Sequence, residues 1–439
     1  MVQMHGMSSG RGAASDRRGV LAALDIGSSK ISCVIAETVP AKHKIPGGVE
    51  RMSLKVLGLG HQASRGVRGG SIVNVDEAER AIRLAVDAAE RMAERTISEV
   101  YVNVSGGRPQ SMCYVGRCDV RGNAVSPRDL DTVISAGVMQ INPARRSVIH
   151  LAPIQYELDD AKGISAPLGM HGAKLSVELG VVTAETAHLR NLALAVERAL
   201  LSVQGYVIAP YAAGKSVLAE DEMVLGTTLI EMGGATTGIS IFHEGSLVFA
   251  DSIPVGGMHV TNDLARGLST SLAHAERMKT LWGSALSSTA DDREMLAVPL
   301  LGERGVDTVH KVPRSSLTAI IRPRIDEIFE MVQERLNTCA VARLGGQRVV
   351  LSGGASQLAG VREVAGLWLN KQVRLATPSP LAGMPDAARN PGFAVVFGLL
   401  AYGLKPDKHH PMPAQASAAL EQARHGYVRR VGRWIADSF

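Results

Sequence analysis

Two apolar runs near the start of the chain flank a short turn of small residues. The segment "VLAALDIGSSKISCVIAE" covers residues 20–37, with a Gly-Ser-Ser turn at 27–29. Apolar and β-branched residues on both sides of such a turn are typical of a β-hairpin. Residues 74–96 then have apolar side chains at helical spacing, and Asn74 or Asp76 is a suitable N-cap. The pattern therefore predicts a hairpin followed by an amphipathic helix.

The same hairpin pattern returns in the second half of the chain. In "GTTLIEMGGATTGISIFHEG", residues 226–245, an apolar strand again ends near a carboxylate, and a turn of small residues leads into a second apolar strand. Asp25 and Glu231 hold equivalent places in the two hairpins. A matched pair at this separation predicts two related halves rather than a short repeat array.

The segment between the two hairpins has a different pattern of predicted strands and helices. From Thr96 to Gly169, strand-like stretches surround one helix, "SPRDLDTVISAGVMQ", which has a serine cap and a proline in its first turn. This pattern predicts a small α+β unit. The stretch "HLRNLALAVERALLSVQGY" has helical spacing, and "QRVVLSGGASQLAGVREVAGLWL" predicts a strand, a Gly-Gly turn and a helix.

The chain ends in an amphipathic pattern that follows a Pro-, Ala- and charge-rich linker at 404–425. On a helix at about 100° per residue, the apolar residues of 426–439 fall within an arc of roughly 140°, with three arginines opposite. Such a helix favours an anionic lipid surface, and docking onto the protein body or a partner is the alternative. The predicted membrane-binding residues are Tyr427, Val428, Arg429, Arg430, Val431, Arg433, Trp434, Ile435 and Phe439.

Composition narrows the possible function classes. A chain of 439 residues is long enough for two or more domains, and a net charge of +5 with 4% aromatic residues does not indicate nucleic-acid binding. The four cysteines lack zinc-like spacing. The polar segment 1–19 predicts a flexible arm rather than a secretion signal. Because no run approaches the ~20 apolar residues that span a bilayer, we expect a cytoplasmic protein with peripheral membrane contact.

The two hairpin turns have the chemistry of phosphate-binding loops. Small residues let backbone N–H groups approach phosphate oxygens, and Ser28, Ser29, Thr236 and Thr237 add hydroxyl donors. A carboxylate beside each turn would repel phosphate directly, so it is suited to holding hydrated Mg²⁺ between the halves. The near-match to a P-loop, "APYAAGKS", lacks the first glycine and the strand-loop context, so it predicts a helix with Lys215 on its surface.

The paired hairpins and "VVLSGGASQL" resemble the two phosphate motifs and the adenosine motif of the actin, Hsp70 and sugar-kinase superfamily. Within that superfamily, six segments are similar, in order, to the bacterial FtsA family of cell-division proteins. The similarity runs from about residue 20 to residue 403 and resumes in the terminal helix. The segments are "ALDIGSSKISCVIAE", "SRGVRGGSIVNVDEAERAIRLAVDAAERMA", "VYVNVSGGRPQS", "HLAPIQYELDDAKGISAPLGMHG", "PVGGMHVTNDLARGL" and "VVLSGGASQLAGV".

The resemblance implies an actin-like α/β fold with two domains around a nucleotide cleft, an inserted α+β subdomain 1C and a C-terminal amphipathic helix. The implied organisation is a flexible arm at 1–19, subdomain 1A at 20–89 and 169–204, subdomain 1C at 90–168, subdomain 2A at 205–258 and 325–403, subdomain 2B at 259–324, a linker at 404–425 and a membrane-targeting helix at 426–439.

The resemblance also assigns roles to matching positions. Asp25 and Glu231 would hold Mg²⁺ through water, and ATP is the implied nucleotide. Glu276 would bind the ribose hydroxyls and Lys279 would pack on the adenosine, although these two residues also fit an ordinary i,i+3 ion pair. The implied nucleotide-binding residues are Gly27, Ser28, Ser29, Lys30, Gly233, Gly234, Thr236, Gly256, Gly257, Glu276, Lys279, Gly353 and Gly354.

The second phosphate motif departs from the family pattern D-x-G-G-G-T-x-D. Glu231 replaces the first acid, Ala235 the third glycine and Gly238 the last acid. Phosphoryl transfer depends on accurate placement of metal and water. We therefore expect ATP binding with slow hydrolysis or none, and no catalytic residue is predicted.

The function implied by the resemblance is that of an adaptor at the cytoplasmic face of the bacterial inner membrane, at the division site. Expected partners are the C-terminal tail of the tubulin-like FtsZ, anionic lipid, further copies of this chain in an actin-like polymer, and later division proteins through subdomain 1C. Arg324 is a candidate FtsZ contact. The alternatives are a PilM-like adaptor of pilus assembly and an actin-fold ATPase or sugar kinase. The terminal helix disfavours both alternatives, and Gly238 disfavours the enzyme.

Overall fold

The computed structural model of the chain describes residues 19–40, 52–141, 145–302 and 309–404. The predicted arm (except Gly19), the linker after Leu404 and the terminal helix with its nine membrane-binding residues lie outside the described residues.

The described chain contains short runs of strands separated by single helices or helix pairs. Up to residue 208 they are β1 (Val20–Ile26), β2 (Lys30–Pro40), β3 (Met52–Ala63), β4 (Val67–Arg68), β5 (Ser71–Ile72), α1 (Val75–Ala93), β6 (Glu99–Val104), β7 (Gln110–Asp119), α2 (Pro127–Val138), β8 (Arg146–Leu158), β9 (Ala161–Ile164), β10 (Lys174–Glu185), α3 (Thr186–Arg198) and β11 (Ser202–Ile208). The following elements are α4 (Ala209–Val217), α5 (Glu220–Leu225), β12 (Thr227–Met232), β13 (Thr237–His243), β14 (Ser246–Ile253), α6 (Gly257–Gly267), α7 (Leu272–Trp282), β15 (Met295–Pro299), β16 (Val309–Pro313), α8 (Arg314–Thr338), β17 (Arg348–Ser352), α9 (Val361–Leu369), β18 (Gln372–Leu375) and α10 (Ala394–Leu404).

Two five-stranded sheets share one topology. The strand order is β11-β6-β1-β2-β3 in the first sheet. Read in the matching direction, it is β18-β17-β12-β13-β14 in the second sheet. Each central strand, β1 or β12, pairs antiparallel with the strand that follows it and parallel with a later strand. Both predicted hairpins are confirmed, and the repeated strand order agrees with two related halves.

Helix α1 packs on strands β2 and β3 of the first sheet. Its N-cap is Asn74, one of the two predicted candidates, whose side chain accepts hydrogen bonds from the backbone N–H groups of Asp76 and Glu77. The helix lies very close to the sheet, since a Cβ atom on Gly60 would come within 2.0 Å of the Ala85 carbonyl oxygen. Only glycine permits this approach.

A separate four-stranded sheet, in the order β7-β10-β8-β9, packs against α2 and forms the predicted α+β unit. Ser126 and Asp129 form a capping box at the start of α2, and Pro127 occupies the first turn. Val133 of the helix and Leu179 of the sheet are buried in a core of their own. The insert therefore has the structure of a small domain.

The limits of this insert differ from the predicted range of 90–168. Strand β6 pairs with β1 and β11 and so belongs to the first sheet, whereas β10 pairs with β7 and β8 inside the insert. The insert sheet thus extends from Gln110 to Glu185. Beyond its first residue β6 is fully buried, as parallel strands usually are, but a short apolar run does not reveal which sheet it joins.

The helix predicted across "HLRNLALAVERALLSVQGY" is too long. Helix α3 ends at Arg198, and Leu200, which is 80% exposed, has a φ of 64°. This left-handed conformation stops the helix, so that β11 begins at Ser202. Because β11 pairs with β6, the first sheet extends past the predicted end of subdomain 1A at residue 204.

Helices α4 and α10 join the two halves. The P-loop-like segment is helix α4, as predicted, and its Lys215 is half-buried. Helix α10, which we predicted within subdomain 2A, packs instead against α4 and the first sheet. Its Gly398 makes this possible, since a Cβ atom there would meet the Ala212 carbonyl oxygen. One core includes Ala23 of the first sheet and Phe242 of the second, together with both helices.

Candidate functional site

The first candidate turn connects β1 to β2. The backbone N–H of Gly27 donates to the carbonyl oxygen of Lys30, 3.1 Å away, and closes a tight turn. A Cβ atom on Gly27 would lie 2.8 Å from that same oxygen, so the turn requires glycine. The Ser28 hydroxyl oxygen accepts a hydrogen bond from the Gly70 N–H, whereas Ser29 is exposed at the tip.

The second candidate turn connects β12 to β13 and faces the first. The Gly233 N–H donates to the Thr236 carbonyl oxygen at 2.9 Å, which closes the turn in the same way as at Gly27. A Cβ atom on Gly234 would lie 3.1 Å from the Ser29 Cβ atom. The structure therefore brings the tips of the two predicted phosphate turns, one from each half, close to each other.

Asp25 and Glu231 form a buried acid pair below these turns, 8% and 7% exposed. Burial raises the pKa of Asp25 to about 6, although the nearby Lys30 ammonium opposes the rise. Burial, together with the negative charge of Asp25, raises the pKa of Glu231 to about 8. The elevated pKa values show that the positive charge near the two carboxylates is insufficient, since Lys30 offsets only part of the rise at Asp25.

This acid pair fits a hydrated Mg²⁺ ion. Carboxylate oxygens are the hard donors that Mg²⁺ prefers, and the ion normally retains several of its waters. Across the described stretches, no group of three or more His, Cys, Asp and Glu side chains is arranged to hold a metal directly. Two carboxylates acting through water would suit a metal that also binds phosphate.

Gly256 and Gly257 lie against the second turn at the start of α6. The N–H groups of Gly257 and Met258 donate to the carbonyl oxygens of Gly233 and Gly234, at 3.0 and 2.6 Å. A Cβ atom on Gly256 would come within 2.6 Å of the Gly233 carbonyl oxygen. The pair thus supports the second turn, and the N–H of Gly257 is already engaged there.

Glu276 and Lys279 are adjacent to that support. The Lys279 ammonium donates to the Gly257 carbonyl oxygen at 3.1 Å, to the Thr261 hydroxyl at 2.8 Å and to the Glu276 carboxylate at 2.7 Å. The Lys279 side chain is 14% exposed and that of Glu276 is 53% exposed. The two residues form the i,i+3 ion pair that the sequence analysis gave as the alternative to a nucleotide contact. Lys279 also attaches this pair to Gly257 and Thr261 at the edge of the cleft.

Gly353 and Gly354 follow β17 on the other side of the acid pair. Gly353 has a φ of 85°, and a Cβ atom there would lie 2.4 Å from the Met232 carbonyl oxygen and 2.6 Å from a Glu231 carboxylate oxygen. No heavy atom lies within 4 Å of a Cβ atom built on Gly354. Packing therefore requires a glycine at position 353, whereas Gly354 faces open space.

The structure also assembles residues that sequence reasoning missed. Thr261 bridges Glu276 and Lys279, and the Phe393 ring lies 3.1 Å from the Lys30 ammonium. Asn390 and Gln357 exchange side-chain amide hydrogen bonds beside Gly354. The Asn-Pro-Gly sequence before the last apolar helix signals a turn, but nothing in the sequence places that turn at the cleft.

Two further predicted positions have partners within the chain: Arg324 forms ion pairs, and Gly238 pairs with Glu231 across strands β12 and β13. Arg324 donates to both carboxylate oxygens of Asp263, at 2.6 and 3.1 Å, and also to Glu327, so its charge is paired within the chain. Gly238 lies opposite Pro210 at the start of α4, and a Cβ atom on Gly238 would come within 2.9 Å of the proline ring. Of the helices described, none is long and apolar enough to cross a membrane.

The repeated sheets, the facing turns and the central acid pair define an actin-like protein. Solved structures with this fold include the PilM-PilN type IV pilus biogenesis complex, with a TM-score of 0.60 at 15% identity, covering 89% of this chain and 100% of that chain. MreB5 of Spiroplasma citri bound to ADP matches with a TM-score of 0.51 at 13% identity, covering 88% of this chain and 98% of that chain. The predicted actin-like fold class is confirmed.

Sequence comparison identifies the family within this class. Residues 228–398 match the family described as cell division protein FtsA, and residues 106–183 match the SHS2 domain inserted in FtsA. The FtsA protein of Rhizobium meliloti is 43% identical over 97% of this chain and 96% of its own length. That of Pseudomonas aeruginosa is 32% identical over 96% of this chain and 98% of its own length. The chain belongs to the FtsA family of cell division proteins.

Proposed function

We propose that the chain binds Mg-ATP between the two facing turns. The backbone N–H groups and hydroxyls at the tips of the turns, residues 28–29 and 234–236, are suited to the phosphates. Glu276 and Lys279 are suited to the ribose and adenosine, and the open Gly354 to the base. Bound Mg²⁺ would supply charge compensation between the phosphates and the acid pair. The close approach of Ser29 and Gly234 is the observation that carries this proposal, because it places two matched turns opposite each other. The fold neighbour MreB5 was solved with ADP, which supports the same chemistry.

Hydrolysis of the bound nucleotide is proposed to be slow or absent. Gly238 has no carboxylate, and the residue packed against it is Pro210, which has no side-chain donor or acceptor. Neither position can orient an attacking water, so the usual arrangement for phosphoryl transfer is incomplete on this side of the cleft. This argues against the alternative of an actin-fold sugar kinase or ATPase.

The proposed cellular role is that of an adaptor that tethers FtsZ filaments to the inner membrane at the division site. Its support is the family membership, which extends over nearly the full length of the relatives. Self-association into actin-like polymers would present many copies at once, and the inserted domain would recruit later division proteins. Avidity of this kind strengthens individually weak contacts.

The membrane contact is proposed to be made by the C-terminal residues 426–439. Their apolar side can enter the boundary between headgroups and acyl chains, while Arg429, Arg430 and Arg433 meet anionic lipid. One short helix is a modest anchor. Many copies in a polymer would make the attachment firm.

Pelleting with anionic liposomes tests the adaptor role. Full-length protein is compared with a chain that ends at Arg424 and with the Trp434→Glu variant, each with Mg-ATP and FtsZ. We expect only the unmodified full-length protein to carry FtsZ into the pellet. Equal pelleting by all three proteins would contradict the proposed anchor, and FtsZ that remains in solution would contradict the proposed partner.

A further inference from the structure

Lys30 is held by an aromatic ring at the edge of the first turn. Its ammonium nitrogen lies 3.1 Å from the centre of the Phe393 ring. Phe393 is 9% exposed and makes an edge-to-face contact with the His61 ring, with 5.8 Å between centroids. A cation over the face of a buried ring is attracted to it and restricted in position. The Lys30 side chain is thereby fixed rather than free in the cleft.

Phe393 ends a short segment, residues 390–393, which we term the 390–393 turn. The Gly353 N–H donates to the Pro391 carbonyl oxygen at 3.2 Å. Asn390 and Gln357 exchange amide hydrogen bonds of 3.1 and 3.0 Å, and Gln357 also donates to the Gly354 carbonyl oxygen. The 390–393 turn is therefore held against the adenosine turn, Gly353 and Gly354, which the sequence predicts to contact the adenosine.

The 390–393 turn lies between the two ends of the proposed nucleotide site. A Cβ atom on Gly392 would lie 3.5 Å from the Lys30 ammonium and 3.6 Å from the Gly354 Cα atom. Helix α10 begins directly after Phe393 and packs on α4, the other helix that joins the halves. The same segment thus contacts the phosphate side, the base side and the connection between the halves.

We propose that Phe393 is a positioning residue that holds the Lys30 ammonium in place for a phosphate oxygen of a bound nucleoside triphosphate. The inference rests on the proposed nucleotide site. It adds a residue outside the recognised phosphate and adenosine motifs, and it makes a specific claim: the ring influences nucleotide binding through Lys30. A ring that served only to pack the core would act independently of Lys30.

A double-mutant cycle separates these two roles. The probe is a fluorescent ATP analogue with Mg²⁺, titrated against wild-type protein, Phe393→Leu, Lys30→Met and the double variant. We expect Phe393→Leu to weaken binding by about 3- to 10-fold in the wild-type background, and to have no further effect once Lys30 is methionine. Phe393→Tyr keeps the ring and should bind within about 2-fold of wild type.

The outcomes are distinct from those that test the proposed function. If wild-type protein binds no nucleotide, the proposed function fails, and this inference fails with it. If wild type binds and Phe393→Leu causes the same loss in both backgrounds, only the inference is overturned. Melting temperatures verify that each variant is folded, and Phe393→Met replaces Phe393→Leu in the cycle if the leucine variant is not.

Discussion

Ser29 and Gly234 face each other across the cleft: a Cβ atom on Gly234 would lie 3.1 Å from the Ser29 Cβ atom and 3.2 Å from its hydroxyl oxygen. Each residue belongs to the turn of a different half, and each turn is closed by the same kind of backbone hydrogen bond. A ligand that contacts both turns therefore bridges the halves. Any movement of one half relative to the other changes the gap between the two turns directly.

The neighbouring glycines of the adenosine turn should respond differently to alanine. Gly353→Ala places a Cβ atom 2.4 Å from the Met232 carbonyl oxygen at a φ of 85°. We expect it to destabilise the protein by about 2 kcal/mol or more. Gly354→Ala meets no atom within 4 Å and is the matched control. It should melt like wild type but bind ATP more weakly if the base lies there, and equal melting temperatures for the two variants would contradict the packing described.

The acid pair should make the nucleotide-free protein less stable as pH rises. The folded protein raises the pKa of Asp25 from 3.8 to about 6 and that of Glu231 from 4.5 to about 8, so it retains protons that the unfolded chain releases. The stability contribution is therefore complete below the unfolded pKa values and is lost as pH increases towards about 8. Melting temperatures measured without Mg²⁺ test this.

The Glu231→Gln variant identifies the source of that dependence. Its melting temperature should vary less with pH between 4.5 and about 8 than that of wild type, because glutamine does not titrate. Glu197→Gln, at an exposed position on α3, is the control and should follow wild type. A Glu231→Gln profile identical to that of wild type would show that the buried carboxylate does not titrate as described.

Restoring an acid at residue 238 should not restore hydrolysis. Gly238→Asp would place its Cβ atom 2.9 Å from the Pro210 ring and bury a carboxylate on β13. We expect a loss of about 2–4 kcal/mol in stability and no faster ATP turnover. Combining the change with Pro210→Ala should recover part of the stability. Wild-type melting with accelerated hydrolysis in Gly238→Asp would contradict this account.

Ser111 links the inserted domain to the second half of the molecule, and we expect this link to contribute to stability. Its hydroxyl donates to the Ala250 carbonyl oxygen at 2.6 Å and accepts from the Ala250 N–H at 2.7 Å, on the edge strand β14. Ser111→Ala leaves both backbone groups without this partner and should lower the free energy of unfolding by about 1–3 kcal/mol. Chemical denaturation measures this, with Ser287→Ala at an exposed position as the control. No difference between the two variants would argue against the contact.

The sequence was sufficient to predict the hairpins, the capped helix α1 and the insert with its serine cap, because each depends on local signals. Spacing, turn residues and caps act within a few positions of one another. The limits of the domains depend instead on long-range pairing. Strand β6 joins β1 and β11 in the first sheet, although its apolar run looks the same as one in the insert.

In the candidate site too, some residues could be predicted from local sequence patterns, whereas others are placed only by long-range packing. The glycines and acids of the two turns belong to recognisable local patterns, and the structure brings them together. Phe393 and Asn390 were not predicted, since they reach the cleft only because α10 packs against the first sheet. Their positions follow from tertiary packing, which single-sequence patterns do not encode.

The most direct test of the central claim is equilibrium binding of a fluorescent ATP analogue, with Mg²⁺, to wild-type protein and to Gly234→Val. The valine side chain would occupy the space between Gly234 and Ser29. The account predicts saturable binding to wild type that unlabelled ATP competes away, and a loss of more than about 10-fold in the folded variant. Absence of binding by wild type, or unchanged binding by folded Gly234→Val, would contradict the claim that the two turns form one nucleotide site.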